Sequence, residues 1–202
     1  MTSISSETGQ HTTLLITCGA IAREVVAILK INALDFMKVE CLPAYLHNTP
    51  HEIPQAVCTK IQQSRDKFER IIVLYADCGT GGKLDAVLEE EGVERIAGAH
   101  CYELFAGHDA FADIVDTEVG TFFLTDFLAQ HFDRLVWKGL GLDKNPRLVR
   151  AYFANYTRLL YLAQSDNPKF RRKAEQAADK LRLRFEIRHT GYGYYKTFLS
   201  SI

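Results

Sequence analysis

From residue 12 onward, short apolar runs alternate with longer stretches in which apolar residues recur at helical spacing. That alternation predicts an α/β fold whose strands are buried on both faces. The runs are TTLLIT at 12–17, VECL at 39–42, IIVLY at 71–75, VERIA at 93–97, FFL at 122–124 and LLYLA at 159–163. Between them the spacing predicts helices over 22–31, about 54–68, 83–91, 127–137, 147–155 and from Asn167-Pro168 to near Leu181. Thr125-Asp126 reads as an N-cap, and Pro146 and Pro168 suit first helical turns. RFEIR at 184–188 alternates as an edge strand does, and a short helix follows Gly191 and Gly193. The stretch 104–120, rich in glycine, aspartate and aromatic residues, is expected to be a loop.

No linker or low-complexity tract interrupts this order. The expected architecture is one α/β domain over 12–202, Rossmann-like and three-layered, with a mainly parallel sheet and helices on both faces. The polar residues 1–11 are expected to form a disordered tail. In such sheets ligands bind outside the carboxyl ends of the strands, so the site is sought there.

Charge and composition narrow the partners. The chain has 202 residues, is 47% hydrophobic and carries a formal charge of −1. Its one basic cluster, Lys169, Arg171, Arg172 and Lys173, fits a solvated helix face, leaving no electrostatic footprint for nucleic acid or an anionic membrane. The absence of a long apolar span or a basic leader points to the cytoplasm. Five cysteines in that setting read as ligands, reactive thiols or small core residues rather than disulfides. Cys41, inside a strand, and Cys58, on a helix face, read as core.

The other three share a position: Cys18, Cys78 and Cys101 each follow a predicted strand. His47 and His100 occupy equivalent edges. Three thiolates with an imidazole suit zinc, and three thiolates can also hold an iron–sulfur cluster. Zinc is placed first because a histidine is available, with either His47 or His100 as the fourth ligand. Asp77 and Glu103 are candidate acid/base or supporting groups. The amides of Gly79, Thr80, Gly81 and Gly82 are expected to receive an anionic part of a small-molecule substrate; CGTGGK lacks the glycine spacing and following hydroxyl of a nucleotide loop. A metal-free hydrolase or transferase using Cys78 as nucleophile is the competing reading. Asp126, His131 and Asp133 form a further His/carboxylate set that a capped amphipathic helix explains equally well. Tyr152, Tyr156 and Tyr161 read as core or interface residues.

The segments CGA, LPAYLHNTP, YADCGTGG, GAHCYE, GTFFLTDFL, GLGLDKNP and YFANYTRLLYLAQ, in that order between Leu14 and Gly193, resemble the family called domain of unknown function 1638. The resemblance implies a setting rather than a reaction. Members occur in methanogenic archaea and bacteria, often beside corrinoid-dependent methyltransferases, which suggests one-carbon metabolism of methylamine, betaine or related compounds. On that basis the expectation is a metal-bearing methyltransferase-associated enzyme or accessory protein. A non-catalytic partner of a corrinoid protein or methyltransferase is the third possibility.

Overall fold

The computed structural model describes residues 12–202, so the expected tail at 1–11 lies outside the described residues. The α/β class with parallel strands is as the pattern predicts, and the strands divide between two sheets. The first has the order β2-β1-β3-β4, from β1 (Thr13–Cys18), β2 (Met37–Leu42), β3 (Arg70–Leu74) and β4 (Glu94–Arg95). The second has the order β5-β6-β7, from β5 (Thr121–Leu124), β6 (Arg158–Ala163) and β7 (Arg184–His189). Every pairing is parallel.

The most apolar runs take the central places. β1 is buried at all six positions between β2 and β3, and β6 is buried at all six between β5 and β7. β7, with its polar alternation, lies at an edge. The helices are α1 (Ala22–Ile31), α2 (Ile53–Ser64), α3 (Lys83–Glu91), α4 (Cys101–Ala106), α5 (His108–Thr117), α6 (Asp126–Phe132), α7 (Arg147–Phe153), α8 (Pro168–Leu181) and α9 (Gly193–Ser200). Their ends follow local chemistry. The Thr125 hydroxyl accepts from the Leu128 amide at the start of α6, and the Asn167 side chain accepts from Lys169 ahead of α8. α6 runs into a π-helical turn, Asp133–Lys138.

The expected loop at 104–120 is instead the end of α4 and all of α5. Gly107, at φ +88°, separates them, and only Leu104, Phe105 and Ile114 are buried. That is too few apolar positions to give a helical signature. The two sheets share core: Leu160 and Leu162 of β6 and Tyr195 and Leu199 of α9 pack in the same cluster as β1, β3 and α1.

Cysteines 41 and 58 depart from the expected core role. Cys41 is exposed on edge strand β2, and Cys58 is half-buried with its thiol donating to Glu91 Oε1 at 3.3 Å.

Candidate functional site

The carboxyl ends of both sheets border one cavity of about 290 Å³. From the first sheet come His47, in the 3₁₀ turn after β2, Cys78 after β3, and His100 and Cys101 after β4. The opposite wall is Phe127, Leu128, Leu135, Val136 and Leu140, from α6, the π-helical turn and the segment after it. Cys18 ends β1 and is buried behind His47, its Sγ 3.7 Å from His47 Nδ1. Parallel strands therefore bring together residues 83 positions apart, as the strand-end reading predicts for Cys18, Cys78, Cys101 and the two histidines. His100 and Cys101, adjacent in sequence, both line the cavity.

Local backbone structure sets these positions. The Asp77 and Cys78 amides donate to Gly98 O at 2.9 Å and Ala99 O at 2.8 Å, tying the loop after β3 to the loop before α4. Cys78 sits at φ +51°, a left-handed conformation unusual for a side-chain-bearing residue and a form of strain that collects at functional sites. The Cys18 sulfur accepts from the Ala20 amide at 3.3 Å, and the His47 ring stacks on Tyr75 with centroids 6.2 Å apart.

Among the described residues the cavity is lined by no Asp, Glu, Lys or Arg, and its ionisable groups are thiols, imidazoles and the Tyr102 phenol. Burial pushes the Cys18 thiol up to about 12, with the neighbouring Cys78 adding to the rise. Burial likewise takes Cys78 up to about 11, even though the Cys101 amide opposes it. Cys101 is raised well above the thiol range by burial and by Cys78 and Cys18. His47 is held below the usual imidazole value by burial, despite the Ala44 carbonyl that favours its charged form. No lysine or arginine lines the cavity among the described residues.

Two buried side-chain oxygens, Tyr195 Oη and Glu24 Oε2, have no hydrogen-bond partner among the described residues, and buried Tyr75 Oη meets only the Cys18 thiol. All three belong to this region. The Tyr75 phenol is affected by Cys18 and Cys78, and that of Tyr195 by Cys101, Cys78, Cys18 and Glu24. An orphaned buried polar group costs about 1–3 kcal/mol; none of these residues lines the cavity itself. Glu24 and the tyrosines were not among the sequence candidates. Glu24 is 5% exposed, and its carboxyl is raised by burial and by the charge of Asp126. The signal was its place on α1, three residues after Ile21 and four before Ile28, on the apolar stripe.

The acid/base and anion-binding candidates lie elsewhere. Asp77 accepts from the Thr80 hydroxyl at 2.5 Å and from the amides of Gly82 at 2.9 Å and Gly81 at 3.1 Å. Burial alone would raise its carboxyl, but the Thr80 hydroxyl and the glycine amides hold it at about 2. It therefore braces the turn, and the amides of Gly81 and Gly82 are occupied from within rather than offered to a substrate. None of Asp77, Gly79, Thr80, Gly81 and Gly82 lines the cavity. Glu103 also lies outside the lining; it accepts from the Ala99 amide at 2.6 Å, and His108 Nδ1 lies 2.5 Å from its other oxygen. Asp126, His131 and Asp133 separate as well. Asp126 is buried and accepts from Tyr161 and Ser165, Asp133 pairs with Lys180, and His131 packs on Phe127. Tyr161 is buried, whereas Tyr152 is 50% exposed.

Zinc–sulfur and zinc–nitrogen bonds of about 2.3 and 2.05 Å at a tetrahedral angle place the two donors about 3.6 Å apart. The Cys18–His47 separation of 3.7 Å fits that spacing. Among the described residues, no group of three or more His, Cys, Asp or Glu side chains is assembled to hold a metal ion. The Cys18–His47 contact is also an ordinary sulfur–nitrogen hydrogen-bond distance, and His47 Nδ1 lies 3.3 Å from Ala44 O as well.

No helix among the described residues is long and apolar enough to cross a membrane. A family model described as "Protein of unknown function (DUF1638)" matches residues 41–199. No curated protein and no solved structure matches the chain.

Proposed function

The chain belongs to that family of unknown function, and from its thiol-lined cavity we propose that it is a soft-metal protein, an enzyme or accessory protein of corrinoid-linked one-carbon chemistry. In this reading Cys18 and His47 would supply two ligands, and Cys78 and Cys101, which line the adjoining cavity, would supply the other two. Zinc is the metal that suits three sulfurs and an imidazole; an iron–sulfur cluster is the alternative for the three thiolates. The observation that carries the proposal is the 3.7 Å spacing of Cys18 Sγ and His47 Nδ1, beside a cavity bearing two further thiols. The closeness of Cys18, Cys78 and Cys101 agrees with it, because a cation relieves the mutual repulsion that neighbouring thiolates suffer. The corrinoid and one-carbon setting rests on the family resemblance alone. Five free cysteines suit a reducing cytoplasm.

A Cys78 nucleophile has less support. α3 begins at Lys83, five residues beyond Cys78, so its dipole does not reach the thiol, which is pushed up to about 11.

Metal analysis of anaerobically purified protein tests the proposal. One zinc per chain, lost in Cys78→Ser and in Cys101→Ser but kept in Cys41→Ser, is the expected result. Iron with sulfide and a brown colour moves the assignment to a cluster. A folded protein that binds neither zinc nor iron overturns the proposal.

A further inference from the structure

We infer that the cavity at the strand ends binds a small uncharged molecule, its apolar body against Phe127, Leu128, Leu135 and Leu140 and its one hydrogen-bonding head toward Asn48 and His100. The inference stands on the lining alone and needs no metal. Phe127, Leu128, Leu135 and Leu140, on the wall opposite the histidines, are only half-buried although each is large and apolar. The fold thus leaves hydrocarbon uncovered inside a concave space, and an apolar ligand body removes that surface from water. Leu135 also belongs to the π-helical turn, a departure from α-helical geometry that gathers at functional sites. No Asp, Glu, Lys or Arg lines the cavity among the described residues, so an ion would lose its hydration there without gaining a counter-charge. Of the lining residues only Asn48 and His100 are exposed, which sets them at the mouth. Asn48 donates from Nδ2 to Leu135 O at 3.2 Å, and its Oδ1 has no partner among the described residues. A ligand head at the mouth therefore meets an acceptor and an imidazole as well as water. The volume of about 290 Å³ is nearly twice the ~150 Å³ of an apolar cavity that holds benzene, which leaves room for a ring and a short arm.

The test is calorimetric titration of the full chain as purified, with zinc and iron measured in the same sample. The probes 2-phenylethanol, 2-phenylethylamine and phenylacetate share a skeleton and differ in charge. 2-Phenylethanol is expected to bind at least tenfold more tightly than either ion. From benzyl alcohol through 2-phenylethanol to 3-phenyl-1-propanol, affinity rises about fourfold per methylene until the cavity is filled. Leu140→Ala, at a half-buried position, weakens the longest alcohol most. Leu128→Lys places a cation in the apolar wall and turns the preference toward phenylacetate.

The charge series on the unaltered chain decides the matter even where a variant fails to fold. Alcohol binding in a sample free of zinc and iron supports the inference while the metal reading falls. A metal-bearing sample that binds none of the alcohols overturns the inference and leaves the metal reading standing. Equal affinity for 2-phenylethanol and its two ions, or alcohol binding unchanged in folded Leu140→Ala and Leu128→Lys proteins, also overturns it.

Discussion

Cys18 Sγ and His47 Nδ1 face each other at 3.7 Å, one at the end of β1 and the other in the turn after β2, the neighbouring strand. The register pairs Cys18 with Leu42, five residues before His47. The contact is thus a product of parallel pairing: both strands reach the same edge, and one 3₁₀ turn carries the imidazole back over the thiol.

Thiol reactivity follows from burial. With its thiol at about 11, Cys78 is ionised to roughly one part in ten thousand at neutral pH. Alkylation of the metal-free protein, followed by mass spectrometry, is expected to label exposed Cys41 first, Cys78 slowly and Cys18 only on unfolding. The Cys78 rate rises steadily as pH is raised toward 11. Rapid labelling of Cys78 at pH 7 restores the nucleophile reading.

Glu24 makes stability depend on pH in a direction opposite to most carboxylates. Its folded value is raised, so the stabilisation it allows is complete below the unfolded value of about 4.3 and is lost as pH climbs through the raised value. Burial drives this, Asp126 adds to it and Arg23 opposes it. In Glu24→Gln the melting temperature is expected to gain on the parent progressively above pH 5 and to match it most closely near pH 4. A gap of constant size across that range removes Glu24 from the account.

Tyr195→Phe deletes a phenolic oxygen that has no partner. The metal-free variant is expected to be as stable as the parent or up to about 2 kcal/mol more stable in urea unfolding, since an orphaned group is removed without opening a cavity. A loss above 1 kcal/mol indicates a hydrogen bond to this oxygen.

Asp77→Ala removes three hydrogen bonds from a turn in which Cys78, Gly79, Gly81 and Gly82 all have positive φ. A loss of about 1–3 kcal/mol is expected. Asp77→Asn keeps one acceptor and loses less. If Asp77 were an acid/base group, its replacement would abolish activity while leaving stability unchanged, and denaturant melts beside an activity assay separate the two.

The strand ends were legible because each buried strand is an uninterrupted apolar run, and the run stops where the chain meets the site. Their grouping into two sheets was not, since periodicity gives a strand's burial but not its neighbour. α4 and α5 escaped because they bury so few residues and a glycine divides them. The glycines after Cys78 looked like an anion cradle. What the pattern could not reveal is that Asp77, four and five residues earlier, already occupies the amides of Gly81 and Gly82. Glu24 was passed over because an acidic residue in an amphipathic helix is ordinarily taken as solvent-facing, although its spacing from Ile21 and Ile28 sets it on the buried stripe.

The cavity's two sides come from separate stretches of chain. Its sulfur and imidazole groups all precede residue 102, while its large apolar side chains, apart from Ile21 and Tyr102, are drawn from residues 122–140. Evolution can thus retune admission by exchanging side chains in the later stretch without disturbing the earlier one. Homologues that agree in their cysteines and diverge across 122–140 are then expected to share a chemistry and differ in what they accept.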